Sequence, residues 1–178
     1  MEEAIELRPN VAQFYAMYGS LLDELKQYDK AIAALGTAVE TFPKDEQLNF
    51  ILGSIYDKVG KKQQTIEKMK FVLTINPEHV QALNYLAYTY AEMEIELEQA
   101  KQMAEKALSI KPDDGYIKDT LGWVLYKKGK FAEAVKVLEA AHQSQSGESI
   151  IAEHLGDAYY AFDLVDKALK MYQKAAQL

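Results

Sequence analysis

The chain has no cysteine among its 178 residues, which excludes a disulfide framework, a thiol nucleophile, a zinc ribbon and an iron–sulfur site. Three histidines offer little to a metal. No run of 18 apolar residues occurs, so direct membrane insertion is not expected, and the acidic start Met1-Glu2-Glu3 lacks the basic opening of a secretory signal. Positive charge is short as well. Twenty Lys+Arg stand against 27 Asp+Glu, a net charge of -7, the wrong sign for a surface that neutralises phosphates or anionic lipid, so nucleic acid is not an expected partner. Also missing are the Gly-x-Ser-x-Gly elbow, the phosphate-binding loop and the dinucleotide fingerprint, so the reading is a non-enzyme with no cofactor. What is present is enough apolar residue, 49%, beside 26% charged residue, to build a folded core.

Proline is scarce, and its placement is informative. The four prolines lie at Pro9, Pro43, Pro77 and Pro112, at intervals of 34, 34 and 35. Glycine keeps the same interval: Gly19 to Gly53 is 34, Gly122 to Gly156 is 34, and Ala87 takes the place between. The additional residue falls between Ala87 and Ala100, and the turn Glu94-Ile95-Glu96-Leu97 is its expected site.

Each unit reads as two amphipathic helices joined by a short polar turn, with Gly60 or Gly129 at the break. A glycine inside a helix costs roughly 0.5–1 kcal/mol relative to alanine, so a recurring one permits close approach of another helix. The spacing predicts that Gly19 faces Ala31 and Ala38, and Gly156 faces Ala168 and Ala175. Asn10, Asp45 and Asp113 are the expected helix caps.

The residues Tyr15, Tyr18, Gly19, Leu22, Ala31, Leu35, Ala38 and Pro43 resemble the tetratricopeptide repeat signature, a helix-turn-helix of 34 residues. The resemblance covers nearly the whole chain, with units at 12–45, 46–79, 80–114, 115–148 and 149–178. Residues 1–11 read as the tail of an upstream repeat helix, the chain 1–178 forming one array. The second unit is weaker at Asn49, Thr65, Met69 and Val72, and the fourth closes on Ser146-Gly147 in place of proline. The segments Leu83-Asn84-Tyr85-Leu86-Ala87 and Asp113-Asp114-Gly115-Tyr116 also look like bacterial members of the family, some of which are envelope lipoproteins. The implied fold class is all-α, a right-handed solenoid of antiparallel helix pairs in about five units. The compartment stays open between cytoplasm and a bacterial envelope reached through flanking sequence.

In that family positions 2, 5, 9 and 12 of each first helix line the concave wall on which peptides lie. Carried over, these positions give a groove of Phe50, Asn84, Tyr88, Tyr116, Asp119, Trp123, Tyr126, Glu153, Asp157 and Tyr160, and no lysine or arginine stands on the stripe. Rings supply contact area and carboxylates fix register. The expected partner is an extended protein or peptide segment, partly apolar or basic, held by a scaffold that assists complex assembly. Family members that hold acidic tails use a clamp of Lys, Asn and Arg, and here those sites carry Ala16, Ser20, Phe50, Gln81 and Tyr85, with Asn84 the one clamp-like amide.

Trp123 is expected on the open stripe because Leu121 and Leu125 already supply the buried one. A plainer reading makes it an exposed ring resting on Tyr88 or Asp157. His154 and Asp157, three apart on a helix with His142 elsewhere, are not expected to hold a metal. His79 is expected to cap a helix or to be solvated. Two rival functions remain at this stage: end-to-end self-association through Ile5, Leu7, Leu169, Tyr172 and Leu178, and service as the recruiting arm of an enzyme whose catalytic domain lies outside this chain.

Overall fold

A computed structural model describes residues 2–178; Met1 lies outside the described residues, so the acidic start and the 1–11 tail are followed from Glu2 onward. Every regular element described is an α-helix: α1 (Glu2–Leu7), α2 (Ala12–Glu24), α3 (Tyr28–Thr41), α4 (Glu46–Lys58), α5 (Lys62–Ile75), α6 (Val80–Glu92), α7 (Leu97–Ile110), α8 (Gly115–Lys127), α9 (Phe131–Ser144), α10 (Ser149–Ala161) and α11 (Val165–Ala175). The first helices of the pairs thus begin at 12, 46, 80, 115 and 149. The chain divides into two compact units, one up to Ala82 and one from Leu83 to Leu178.

The turn inside each pair needs one residue of left-handed backbone. Gly60 (φ 74°) and Gly129 (φ 72°) supply it freely, and Lys26 (φ 56°) and Asp163 (φ 61°), one repeat earlier and later, adopt it despite their side chains. The turn between α6 and α7 carries two such residues, Glu94 (φ 53°) and Glu96 (φ 48°), and that is where the additional residue is housed. Capping partly departs from expectation. Asp45 caps α4 through Leu48 N–H at 2.9 Å, but the cap of α8 is Asp114, accepting from Tyr116 and Ile117, one residue beyond Asp113. At α2 the cap position is Val11, not Asn10, with no side-chain bond.

In the unit up to Ala82, α2 packs on α3 and α4, and α4 on α5, around Leu22, Leu35, Ala38, Leu48, Leu52 and Ile55. In the other, α8 packs on α7, α9 and α10, and α11 closes on α10, around Val124, Leu138, Ile151 and Leu155. The glycine rule holds with a different partner. A Cβ on Gly19 would stand 2.7 Å from the Leu35 methyls, and one on Gly122 would stand 2.5 Å from Leu138 Cγ. The Gly156 partner is the Tyr172 ring at 2.6 Å. Glycine therefore receives the large side chain lying between the two alanines, and the alanines flank it.

Candidate functional site

The first helices α6, α8 and α10 lie side by side, and the sequence-predicted residues Tyr88, Asp119, Trp123 and Tyr126 meet there around a residue outside the predicted set, His154. The reason is register. Asp119 is the fifth residue of its unit and His154 the sixth of the next, so the two face each other across the α8–α10 joint. Asp119 and His154 are 6% and 4% exposed, and His154 Nδ1 lies 3.0 Å from both carboxylate oxygens. A carboxylate can only accept, so Nδ1 carries the proton in this bond. A buried charge without such a partner would cost several kcal/mol, of order the penalty for breaking a buried pair.

Trp123 is a correction to the sequence reading. It is 7% exposed, with its ring near-parallel to His154 (centroids 4.0 Å, 14°) and to Tyr126 (4.8 Å, 4°), and Lys127 Nζ stands 4.8 Å from its centroid. Its Nε1–H donates to Glu92 at 2.7 Å, linking α8 to α6. The ninth position of α8 points at the neighbouring first helix, and an indole is large enough to fill that joint. Asp119 is corrected with it: both sit beneath the surface and neither is open to a ligand. The ring rests on His154 and Tyr126, not on Tyr88 or Asp157; Tyr88, half-buried, reaches His154 from α6 at 6.2 Å.

The remaining predicted residues scatter. Tyr116 is 47% exposed, and its hydroxyl donates to Glu148 at 2.7 Å, which raises its pKa. Tyr160 is 65% exposed, Glu153 is exposed, and Asp157 accepts the Tyr172 hydroxyl at 2.7 Å. Burial and that bond push the Tyr172 phenol above its ordinary range. Asn84 is half-buried, and its Oδ1, itself buried, has no hydrogen-bond partner among the described residues. Phe50 belongs to the other unit, its ring 4.9 Å from His79. His79 does cap α6, accepting from Ala82 N–H at 3.1 Å, and it also lies 3.4 Å from Glu46. His154 and His142 do not converge on Asp157: His142 Nε2 accepts from Lys174 at 2.8 Å, and burial together with that ammonium lowers its pKa.

Besides His154, the residues missed by sequence reasoning are Glu92, at the end of α6, and Lys127, which bridges to Glu94 at 3.0 Å. The available signal was the interval of 35 between Asp119 and His154, one repeat plus one position.

Helix pairs that recur every 34 or 35 residues, four of the five with a glycine at the same place in the first helix, define a helix-turn-helix repeat protein. Two family models described as tetratricopeptide repeat match the chain, over 120–178 and 1–33. The TPR repeat-containing protein PA4667 of Pseudomonas aeruginosa is 30% identical over 158 residues, 88% of this chain and 27% of that protein. YpiA of Bacillus subtilis, also described as TPR repeat-containing, is 22% identical over 92% of this chain and 37% of its own length. The chain thus spans 27% and 37% of the length of these two relatives. Among solved structures, the thermophilic TPR protein TTC0263 of Thermus thermophilus superposes with a TM-score of 0.78 at 22% identity, covering 94% of this chain and 91% of that one. YrrB, described as a TPR protein with an unusual peptide-binding site, gives 0.74 at 20% identity, over 99% and 90%. The chain is a tetratricopeptide repeat protein, and a bacterial origin fits these relatives.

The fold is thereby that of the family's solenoids, and proteins of this fold serve in general as protein–protein interaction scaffolds without catalysis of their own. No helix among the described residues is long and apolar enough to cross a membrane.

Proposed function

We propose that the chain holds an extended segment of a partner protein along its first helices, and that from Leu83 onward the contact is made by the outward groups of α8 and α10, with no catalytic step in this chain. The observation that carries this reading is the pairing of large exposed rings with carboxylates: Tyr116 (47% exposed) beside Glu148, and Tyr160 (65% exposed) on the same helix as Glu153 and Asp157. Rings offer area at low entropic cost, and the carboxylates favour lysine or arginine in the bound segment. Trp123, Asp119 and His154 then act as positioning residues beneath the contact, holding α8 against α10. The likeness to YrrB supports the reading only through the shared fold, its peptide site being described for that protein.

The test is a peptide array probed with the chain, followed by fluorescence titration using its single tryptophan. Tyr160→Ala and Tyr116→Ala should each weaken a captured peptide by about 5- to 50-fold, a loss of roughly 1–2 kcal/mol, and Glu153→Lys should reduce capture of basic sequences. Undiminished binding in all three variants overturns the assignment of this face.

A further inference from the structure

His154 has a second ring nitrogen that the α8–α10 joint does not use. Nδ1 is turned to Asp119. Nε2 makes no hydrogen bond among the described residues, yet it is not sealed in as Asn84 Oδ1 is, so the 4% of the residue that meets solvent includes this atom. The opening lies on the groove side. Helix α8 stands between α6 and α10, so the Tyr88 ring from α6 and the His154 ring from α10 approach to 6.2 Å only over the face of α8 that carries Asp119 and Trp123. One edge of His154 therefore positions the helices, and the other forms part of the groove floor.

The chemistry of the open edge follows from the partner of the closed one. When the ring carries a single proton, Asp119 holds it at Nδ1, and Nε2 presents a lone pair. The pair then bears one negative charge, and a carboxylate behind an imidazole makes the outer nitrogen a better acceptor. No cation among the described residues is paired with it: Lys127, over the neighbouring indole, is held by Glu94 at 3.0 Å. The other titratable groups around the ring and its stacked indole are acids or phenols, Tyr88 and Glu92 from α6, Tyr126 from α8, and Glu153 and Asp157 on α10 itself. On α9 and α11, Glu139 is engaged by Tyr159 and Lys174 by His142. A second proton on His154 would remove the lone pair, turn Nε2 into a donor and cancel the charge.

We propose that His154 Nε2 accepts a hydrogen bond from a lysine or arginine side chain of the bound segment, and that a second proton on the imidazole releases that side chain. Cation and proton compete for one lone pair and one negative charge, so capture of a basic segment is acid-sensitive. This inference rests on the peptide-binding reading and adds to it: Tyr116 and Tyr160 supply contact area, while His154 selects a cation and makes its retention depend on pH.

The probe is a fluorescent peptide of alternating lysine and leucine, titrated with the chain at about pH 8 and about pH 5.5 in equal salt. Acidification should weaken its binding by about 10- to 100-fold, with a slope of at most about tenfold per pH unit because one proton is exchanged. His154→Gln should bind more weakly at the higher pH and lose the pH dependence, whereas His79→Gln and His142→Gln keep it. Should His154→Gln lose helicity, the unaltered chain decides: followed by nitrogen NMR of the imidazole, the titration midpoint of His154 should move to lower pH when the peptide is saturating. A captured peptide that binds equally at both pH values, or that leaves this midpoint where it was, overturns the inference and leaves the peptide-binding reading standing. No capture at the higher pH overturns it as well, and the peptide array then decides whether that reading falls with it.

Discussion

The two compact units fasten neighbouring first helices in opposite ways. Up to Ala82 the α2–α4 joint carries a surface ion pair, Lys58 to Asp23 at 2.7 Å, with both side chains in partial contact with water. From Leu83 onward the corresponding α8–α10 joint is a buried carboxylate and imidazole beneath a stacked indole. The repeat frame is shared, so the difference lies in the residues placed at the joint. A solvated pair contributes about 0–1 kcal/mol and weakens with salt, whereas the buried cluster combines lost apolar area, ring stacking and a desolvated hydrogen bond. One unit can exchange its joint cheaply, and the other cannot.

Removing the indole should have the largest effect. Trp123→Ala leaves a cavity between α8 and α10 and should cost about 3–5 kcal/mol in urea unfolding followed by circular dichroism, with nothing comparable from Phe50→Ala at the half-buried ring of the other unit. A loss under about 1 kcal/mol would mean that the joint is held by something other than the stack. Next comes Asp119→Ala, expected to cost about 2–3 kcal/mol because His154 Nδ1–H is left buried without an acceptor. Asp119→Asn, which keeps an acceptor oxygen, should recover part of that loss. The difference between the two variants measures the bond apart from the space the side chain fills.

A smaller effect appears in the pH dependence. His142 has its pKa lowered in the folded chain, by burial first and by Lys174 second, so the unfolded chain binds more protons between the folded pKa and the ordinary value of 6.5. Stability therefore rises with pH through that window and falls as acid protonates the ring. His142→Gln should flatten this part of the profile, and an unchanged slope would remove His142 as its source. At the alkaline end Tyr172, raised by burial and by its bond to Asp157, keeps its proton while the unfolded chain loses its own, so stability falls as pH climbs above the ordinary tyrosine value. Smallest of all, Lys58→Ala should change stability by less than about 1 kcal/mol, and the change should vanish in high salt. A loss approaching that of Asp119→Ala would erase the contrast between the joints.

Much of the frame is legible because it rests on local chemistry. Proline ends a second helix wherever it falls, Gly60 and Gly129 mark the left-handed turns, and a periodicity of 34 needs only counting. The partner of Gly19 was less legible. Spacing identified Ala31 and Ala38 as lying on the facing surface but not that Leu35, between them, is the side chain received. The candidate site was legible only as a stripe. Tyr116 and Tyr160 lie open on it, while Trp123 and Asp119, on the same stripe, are covered by α10.

Sequence alone therefore determined the helix pairs, their breaks, the site of the additional residue and the shortage of cations on the first-helix face, since each depends on residues near one another along the chain. The tertiary structure decided which rings meet solvent and which meet His154. Exposure at a fixed repeat position depends on what the next helix, some 35 residues away, brings against it, and no count along a single helix contains that information.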